Sequence, residues 1–169
     1  MSSKSAVHDL AARAWRRIAL RNVRDNDNHK GLNRLYAMPD PWGMASEREQ
    51  SRFRQTNEII RARIGRVDRI LEVGCGEGHQ SEHLIQLCAH LDGLDVSSRA
   101  VVRASERIPD ARFGVGHLGA LPWVLKEHES YDLVVACEVL YYLNDVAYAV
   151  ERMSRLGRTC FVTFFCPAA

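Results

Sequence analysis

The sequence has no apolar run approaching the roughly 20 residues that span a bilayer, so no membrane segment is expected. Its first residues, Met1-Ser2-Ser3-Lys4-Ser5, lack the apolar core of a signal peptide, which predicts a cytoplasmic protein. It has no CxxC pair, and its 5 cysteines are an odd number. A disulfide framework and a zinc site are therefore not expected. Cys75, Cys137 and Cys160 fall in or beside apolar runs, where a thiol acts as a small hydrophobe. Internal repeats and low-complexity segments are absent. The histidines follow no metal-ligand pattern: His79 and His83 are four apart, but no acid or third ligand accompanies them, and both read as surface or cap residues. No metal is expected.

What remains is a chain of 169 residues, 46% apolar, long enough to bury one sizeable core. The net charge of +2 hides an asymmetry. Residues 1–69 carry 15 Lys/Arg against 8 Asp/Glu, and residues 70–169 carry 8 against 13. The boundary coincides with a change of pattern. Before it, residues 6–24 read as a helix, with Leu10, Ala14 and Ile18 on one face and arginines elsewhere. A loop containing Asp40-Pro41-Trp42-Gly43 follows. A second helix opens on a capping box, Ser46 with Glu49, and closes at Gly65.

From residue 70 onward apolar runs alternate with helical stretches. The runs are 70–73, 91–94, 111–115, 131–136 and 159–165; the helices are about 79–89, 98–107, 123–128 and 145–156, the last bracketed by Asn144 and Gly157. This alternation predicts an α/β fold, a Rossmann-like doubly wound parallel sheet of about five strands with helices ahead of it. The expected division is residues 1–69 as a helical lid and substrate region, and 70–169 as the ligand-binding core.

The first run ends Glu72-Val73-Gly74-Cys75-Gly76-Glu77-Gly78. Alternate glycines after a buried strand make a tight turn against which a ligand can lie. Asp95, 21 residues after Gly74, ends the second run, where a carboxylate can accept from two ribose hydroxyls. Asp92 reads as a strand-end charge. A dinucleotide fingerprint would need Gly at position 79, which is His79, and Glu77 would oppose a pyrophosphate at the helix start. S-adenosylmethionine has no phosphate, and its cationic groups suit the acids at 72 and 77.

Together with Gly93-Leu94-Asp95-Val96-Ser97 and the run Tyr131-Asp132-Leu133-Val134-Val135-Ala136-Cys137-Glu138, the glycine turn resembles the class I S-adenosylmethionine-dependent methyltransferases over residues 70–165. Within that class, Asp40-Pro41-Trp42 and Glu138-Val139-Leu140-Tyr141-Tyr142-Leu143 look like the nodulation protein S group, whose members N-methylate the amino sugar of a chitooligosaccharide. The resemblance implies that Gly74, Gly76 and Gly78 pass under the methionine part of the cofactor, with Cys75 and Cys137 beside it. Glu72 would orient the turn and the cofactor amino group. Asp95 would hold the ribose, and Val96 would lie against the adenine. At the adenine end the family's Asp is replaced by His117, which as a neutral ring could accept from the adenine amino group; the Leu118 backbone could serve the same ring.

Glu138 is the expected acceptor-side base and His117 the second candidate. Tyr36 and Trp42 are expected in a lid, with Tyr141 and Tyr142 at the acceptor pocket. The strand-four signature lacks the Asn/Asp-Pro-Pro-Tyr of adenine N6 methylases and the Pro-Cys of cytosine C5 enzymes, which argues against DNA. The acceptor is thus expected to be a small molecule or sugar, with RNA disfavoured by the absence of interleaved aromatic and basic residues. A cofactor-binding module without catalysis, or an RNA methyltransferase, are the alternatives. The family's final antiparallel hairpin has no counterpart after residue 165, so either the chain is truncated or a strand edge is left open, and a homodimer or low solubility is expected.

Overall fold

The computed structural model describes residues 29–125 and 129–164. The expected helix at 6–24 lies outside the described residues. In chain order the elements are α1 (His29–Leu35), α2 (Glu47–Arg63), β1 (Val67–Val73) and α3 (Ser81–Leu84), which runs into a 3-10 turn at Ile85–Leu87. Then come β2 (Cys88–Asp95), α4 (Ser98–Arg107), β3 (Arg112–Val115) and β4 (Tyr131–Cys137). A 3-10 turn at Leu140–Tyr142 leads to α5 (Val146–Leu156) and β5 (Gly157–Thr163).

The five strands form one parallel sheet in the order β3-β2-β1-β4-β5. Both faces of its centre are buried, which explains the continuous apolar runs. Ile70, Leu133 and Val135 point to one face, where they meet Ile60 of α2 and Leu84 and Leu87. Leu71, Val73, Val134 and Ala136 point to the other, against Ala149, Met153 and Leu156 of α5. Each fully buried Leu or Ile contributes about 2 kcal/mol. The chain builds outward from β1 to β2 and β3, then crosses back to β4. That reversal opens a crevice beyond the C-terminal ends of β1 and β4.

Several boundaries differ from the sequence reading. The helix expected over 79–89 shrinks to one α turn and one 3-10 turn, because β2 begins at Cys88 and pairs Val67↔Cys88 with β1. Of the helix expected over 123–128, residues 123–125 are not helical, and 126–128 lie outside the described residues. Ser46 precedes α2 with an extended backbone but makes no side-chain capping bond; Glu49 turns to Arg52 Nε at 2.8 Å instead. Asp145, rather than Asn144, caps α5, accepting from Tyr148 N at 2.8 Å. His79 is buried, not a surface residue, and His83 is half-buried against Phe53. Asp92 is no free strand-end charge either. It accepts from Arg112 Nε at 2.8 Å and from the Tyr131 hydroxyl at 2.7 Å, and that hydroxyl in turn accepts from Trp123 Nε1 at 2.9 Å.

Candidate active site

The crevice is a cavity of about 440 Å³, within the usual range for small-molecule sites. Its floor is the glycine turn. Gly74, Gly76 and Gly78 all have positive φ, at 71°, 53° and 81°. A side chain would be strained at each position. The close neighbours are protein atoms: a Cβ on Gly74 would overlap Val139, one on Gly76 would lie 2.9 Å from the Tyr36 hydroxyl, and one on Gly78 would meet Ala104 Cα of α4 at 3.2 Å. The glycines thus serve the turn's own shape and its packing, beyond the ligand clearance read from the sequence.

Asp95 ends β2 beside this turn. Its Oδ2 accepts from Gly76 N at 3.0 Å and its Oδ1 from Ser97 N at 2.8 Å. Burial lifts its carboxyl from an ordinary value of 3.8 to about 6, although these backbone donors hold it down. Glu72 is deeper still. Burial lifts it to about 8, against the opposing hydrogen bond from Ser81 Oγ, and Asp95 adds to the rise. The cavity wall therefore carries two acids held in their proton-bound direction, a setting that rewards any ligand offering hydroxyl or ammonium donors.

Glu77 is engaged with the protein. Its carboxylate pairs with Arg103 and accepts from Asp40 N at 2.8 Å. Burial works to raise it, but His79, Arg103 and the Asp40 amide outweigh burial and leave it lowered. With Arg103 beside it, Glu77 opposes an anion less than the sequence reading supposed. Asp40, Glu77 and His79 converge within 4.8 Å, a spacing that a cation could use. However, the Asp40 carboxylate already accepts from Met44 N at 2.6 Å and Ala45 N at 3.0 Å. Arg107 Nη2 lies 3.2 Å from His79 Nε2, so guanidinium charge already stands where a metal would.

The same contacts roof the cavity. Asp40, at φ 44°, is tied through Glu77 to the glycine turn. Asn33 of α1 accepts from Ser97 Oγ at 2.8 Å, tying that helix to the start of α4. Trp42 Nε1 donates to the Tyr36 hydroxyl at 3.0 Å. The Trp42 ring lies 5.8 Å from Tyr142, and Tyr142 lies 4.6 Å from Tyr141. The four aromatic residues singled out in the sequence thus form one continuous array.

On the opposite wall Glu138 follows β4 with φ 60°, a conformation that non-glycine residues rarely hold without a reason. Its carboxylate accepts from Thr163 Oγ1 at 2.9 Å and lies 3.5 Å from the Tyr141 hydroxyl. Burial pushes the neighbouring Cys137 thiol up to about 12 and also raises Cys75, which disfavours the thiolate at both. Val96 and Leu118 line the cavity near His117. His117 Nδ1 accepts from Gly119 N at 3.1 Å, which leaves Nε2 as the proton-bearing atom of a neutral ring. In that tautomer the ring donates, so it does not offer an acceptor to an adenine amino group as the sequence reading expected.

The family profile described as Nodulation protein S (NodS) matches residues 24–159. The chain belongs to the nodulation protein S family. Nodulation protein S of Bradyrhizobium diazoefficiens is 37% identical over 128 residues, which cover 72% of this chain and 57% of that protein. The Sinorhizobium fredii protein is 33% identical, covering 75% of this chain and 58% of its own length. The chain therefore spans a little over half the length of these relatives. Among solved structures, the N-methyltransferase NodS from Bradyrhizobium japonicum WM9, in complex with S-adenosyl-L-homocysteine, superposes with a TM-score of 0.67 at 29% identity. That match covers 78% of this chain and 68% of the other. The Rossmann-like sheet is that of the S-adenosylmethionine-dependent methyltransferases. No described helix is long and apolar enough to cross a membrane.

Sequence reasoning missed Arg52, Gln80 and Asn33. Arg52 sits in a basic helix that reads as a solvated face, and Gln80 follows the glycine turn with no motif to mark it. Only folding brings them to the cavity wall or beside it.

Proposed function

We propose that the chain binds S-adenosylmethionine in this cavity and methylates a small-molecule acceptor, an amine of an amino sugar or a comparable hydroxyl. The observation that carries the reading is Asp95, a buried carboxylate bonded to the glycine turn through Gly76 and facing a cavity of about 440 Å³. A carboxylate can accept about four hydrogen bonds, so Asp95 keeps capacity for ribose hydroxyls. Glu72 adds a second buried acid for the ammonium of the cofactor's amino-acid end. The NodS relative that carries S-adenosyl-L-homocysteine supports the same assignment.

When bound, the cofactor would supply a methyl group made electrophilic by a sulfonium. The chain's part is positioning and proton removal. Glu138 takes the proton of an acceptor ammonium, so that the nitrogen attacks with a free lone pair. Tyr141 and Thr163 hold that carboxylate in place. Trp42 and Tyr142 offer ring faces to a sugar, and the residues ahead of β1 act as a lid. His117 serves the adenine end as a hydrogen-bond donor, with the Leu118 backbone beside it. Homodimerisation would use the outer edge of β5, which no described strand pairs, and light scattering of a monomer at all concentrations would refute it.

Incubation with methyl-labelled cofactor and a panel of amino sugars tests the reading. Label is expected on the amine. Glu138→Gln is expected to slow turnover roughly a hundredfold at saturating cofactor. Unchanged turnover would remove Glu138 as the base, whereas cofactor binding by the wild-type chain without transfer to any acceptor would leave a binding module.

A further inference from the structure

The loop after β3 forms one end of the cavity. Val115 pairs with Asp95 in the sheet, and Gly116 N donates to the Asp95 carbonyl at 3.0 Å. A base carried by a ribose on Asp95 therefore extends along this loop, beside Val96 and Leu118. That end is open to water. Val115 is 49% exposed, and His117, Gly119 and Ala120 are exposed too, while Leu118 is buried.

The loop's own hydrogen bonds set the polarity of this rim. His117 N donates to the Ala120 carbonyl at 3.2 Å, and Ala120 N donates back to the His117 carbonyl at 2.9 Å. The Leu118 carbonyl accepts from Arg152 Nε of α5 at 3.3 Å. Gly119 N occupies His117 Nδ1, so the ring keeps its Nε2–H as a donor. Among the described residues no hydrogen bond takes that donor; the His29 ring of α1 stands 5.6 Å away, tilted by 45°. The carboxylates that line the cavity are carried by other segments: Glu72, Glu77 and Asp95 around the glycine turn, Glu138 after β4, and Asp145 as the cap of α5. A purine edge offers both kinds of group, since its ring nitrogens accept and a 6-amino group donates. A donating imidazole serves the first and gives nothing to the second.

We infer that this chain does not select its nucleoside by the 6-amino group: His117 donates to a ring nitrogen of the base, and the amino edge stays in water at the exposed rim. The inference rests on the proposed cofactor. A nucleoside whose base lacks the amino group fills the site as adenosine does. His117 is the residue that sets this selectivity, and one substitution reverses it. An aspartate at the same position can keep the Gly119 N bond with one oxygen, because aspartates commonly accept from the backbone two residues on. The other oxygen then accepts from the amino group.

The test is calorimetric titration of the wild-type chain and His117→Asp with S-adenosylhomocysteine and with its purine analogue lacking the 6-amino group. The wild type is expected to bind the two ligands within about threefold of each other. His117→Asp is expected to prefer the adenine ligand by roughly three- to tenfold more than the wild type does, the worth of one hydrogen bond at an exposed site. The ratio of the two affinities is the readout, because a substitution that merely loosens the loop weakens both ligands alike. A wild type that binds the amino-free ligand more than about threefold more weakly overturns the inference and leaves the cofactor reading standing. A His117→Asp protein with the wild-type ratio overturns His117 as the determinant. A wild-type chain that binds neither ligand removes the cofactor reading itself, and the inference with it.

Discussion

Replacing Glu72 with Gln removes a buried ionisable group whose proton affinity differs sharply between the folded and unfolded chain. Burial lifts its folded value to about 8, from an ordinary 4.5. The folded state therefore binds the proton more tightly, and stability falls as pH rises between those two values. Each pH unit inside the window is worth about 1.4 kcal/mol, so between pH 5.5 and 8 the ligand-free wild type loses about 3 kcal/mol through this group alone. Glu72→Gln lacks that loss. Asp95 is present in both proteins, so its own contribution largely cancels. Denaturant unfolding of both at several pH values measures the difference, which is expected to grow steadily with pH in the variant's favour. Saturating cofactor, by bringing an ammonium to the carboxylate, is expected to flatten the wild-type slope. Parallel stability curves for the two proteins would show that Glu72 titrates as an ordinary surface acid, and the electrostatic account of the site would fall.

Asp95→Asn is expected to weaken cofactor binding roughly ten- to a hundredfold by calorimetry, since a charged acceptor for the ribose is lost while one backbone bond can persist. Gly78→Ala forces a side chain into φ 81° and against Ala104; a loss of about 2 kcal/mol is expected, seen as a Tm lowered by about 4–8 °C. Arg103→Ala strips the cation from buried Glu77 and should loosen the Asp40-Pro41-Trp42-Gly43 loop. Faster limited proteolysis at that loop checks it, and an unchanged cleavage rate would show that the Asp40–Glu77 tie holds without Arg103.

The sheet was legible because its chemistry is local. Apolar runs such as Leu133-Val134-Val135-Ala136 must be buried on both faces, and the glycine turn and Asp95 sit at strand ends whatever the helices do. Helix boundaries were less legible. The 79–89 pattern looked long because Leu84, Ile85 and Leu87 are apolar in any conformation, and only pairing of Cys88 with Val67 decides that the strand starts there. Asp92 was misread for a similar reason: its partners Arg112 and Tyr131 are 20 and 39 residues away. Arg52 and Gln80 went unmarked because only folding brings them to the cavity wall, which no pattern of residue types records. His117 lines the cavity, but its tautomer follows from Gly119, two residues later, through a turn the sequence does not announce.

The two walls of the cavity come from different kinds of structure. The acids and glycines that face the proposed cofactor are fixed to β1 and β2, deep in the sheet. The aromatic array and Glu138 belong to two connecting segments, 36–44 and 138–143, whose ties to the sheet run through a few hydrogen bonds. Exchange of those segments between homologues should change which acceptor is methylated while leaving the cofactor chemistry intact. For an engineer, the Asp40–Glu77 bond marks the seam: graft boundaries should keep both of its ends.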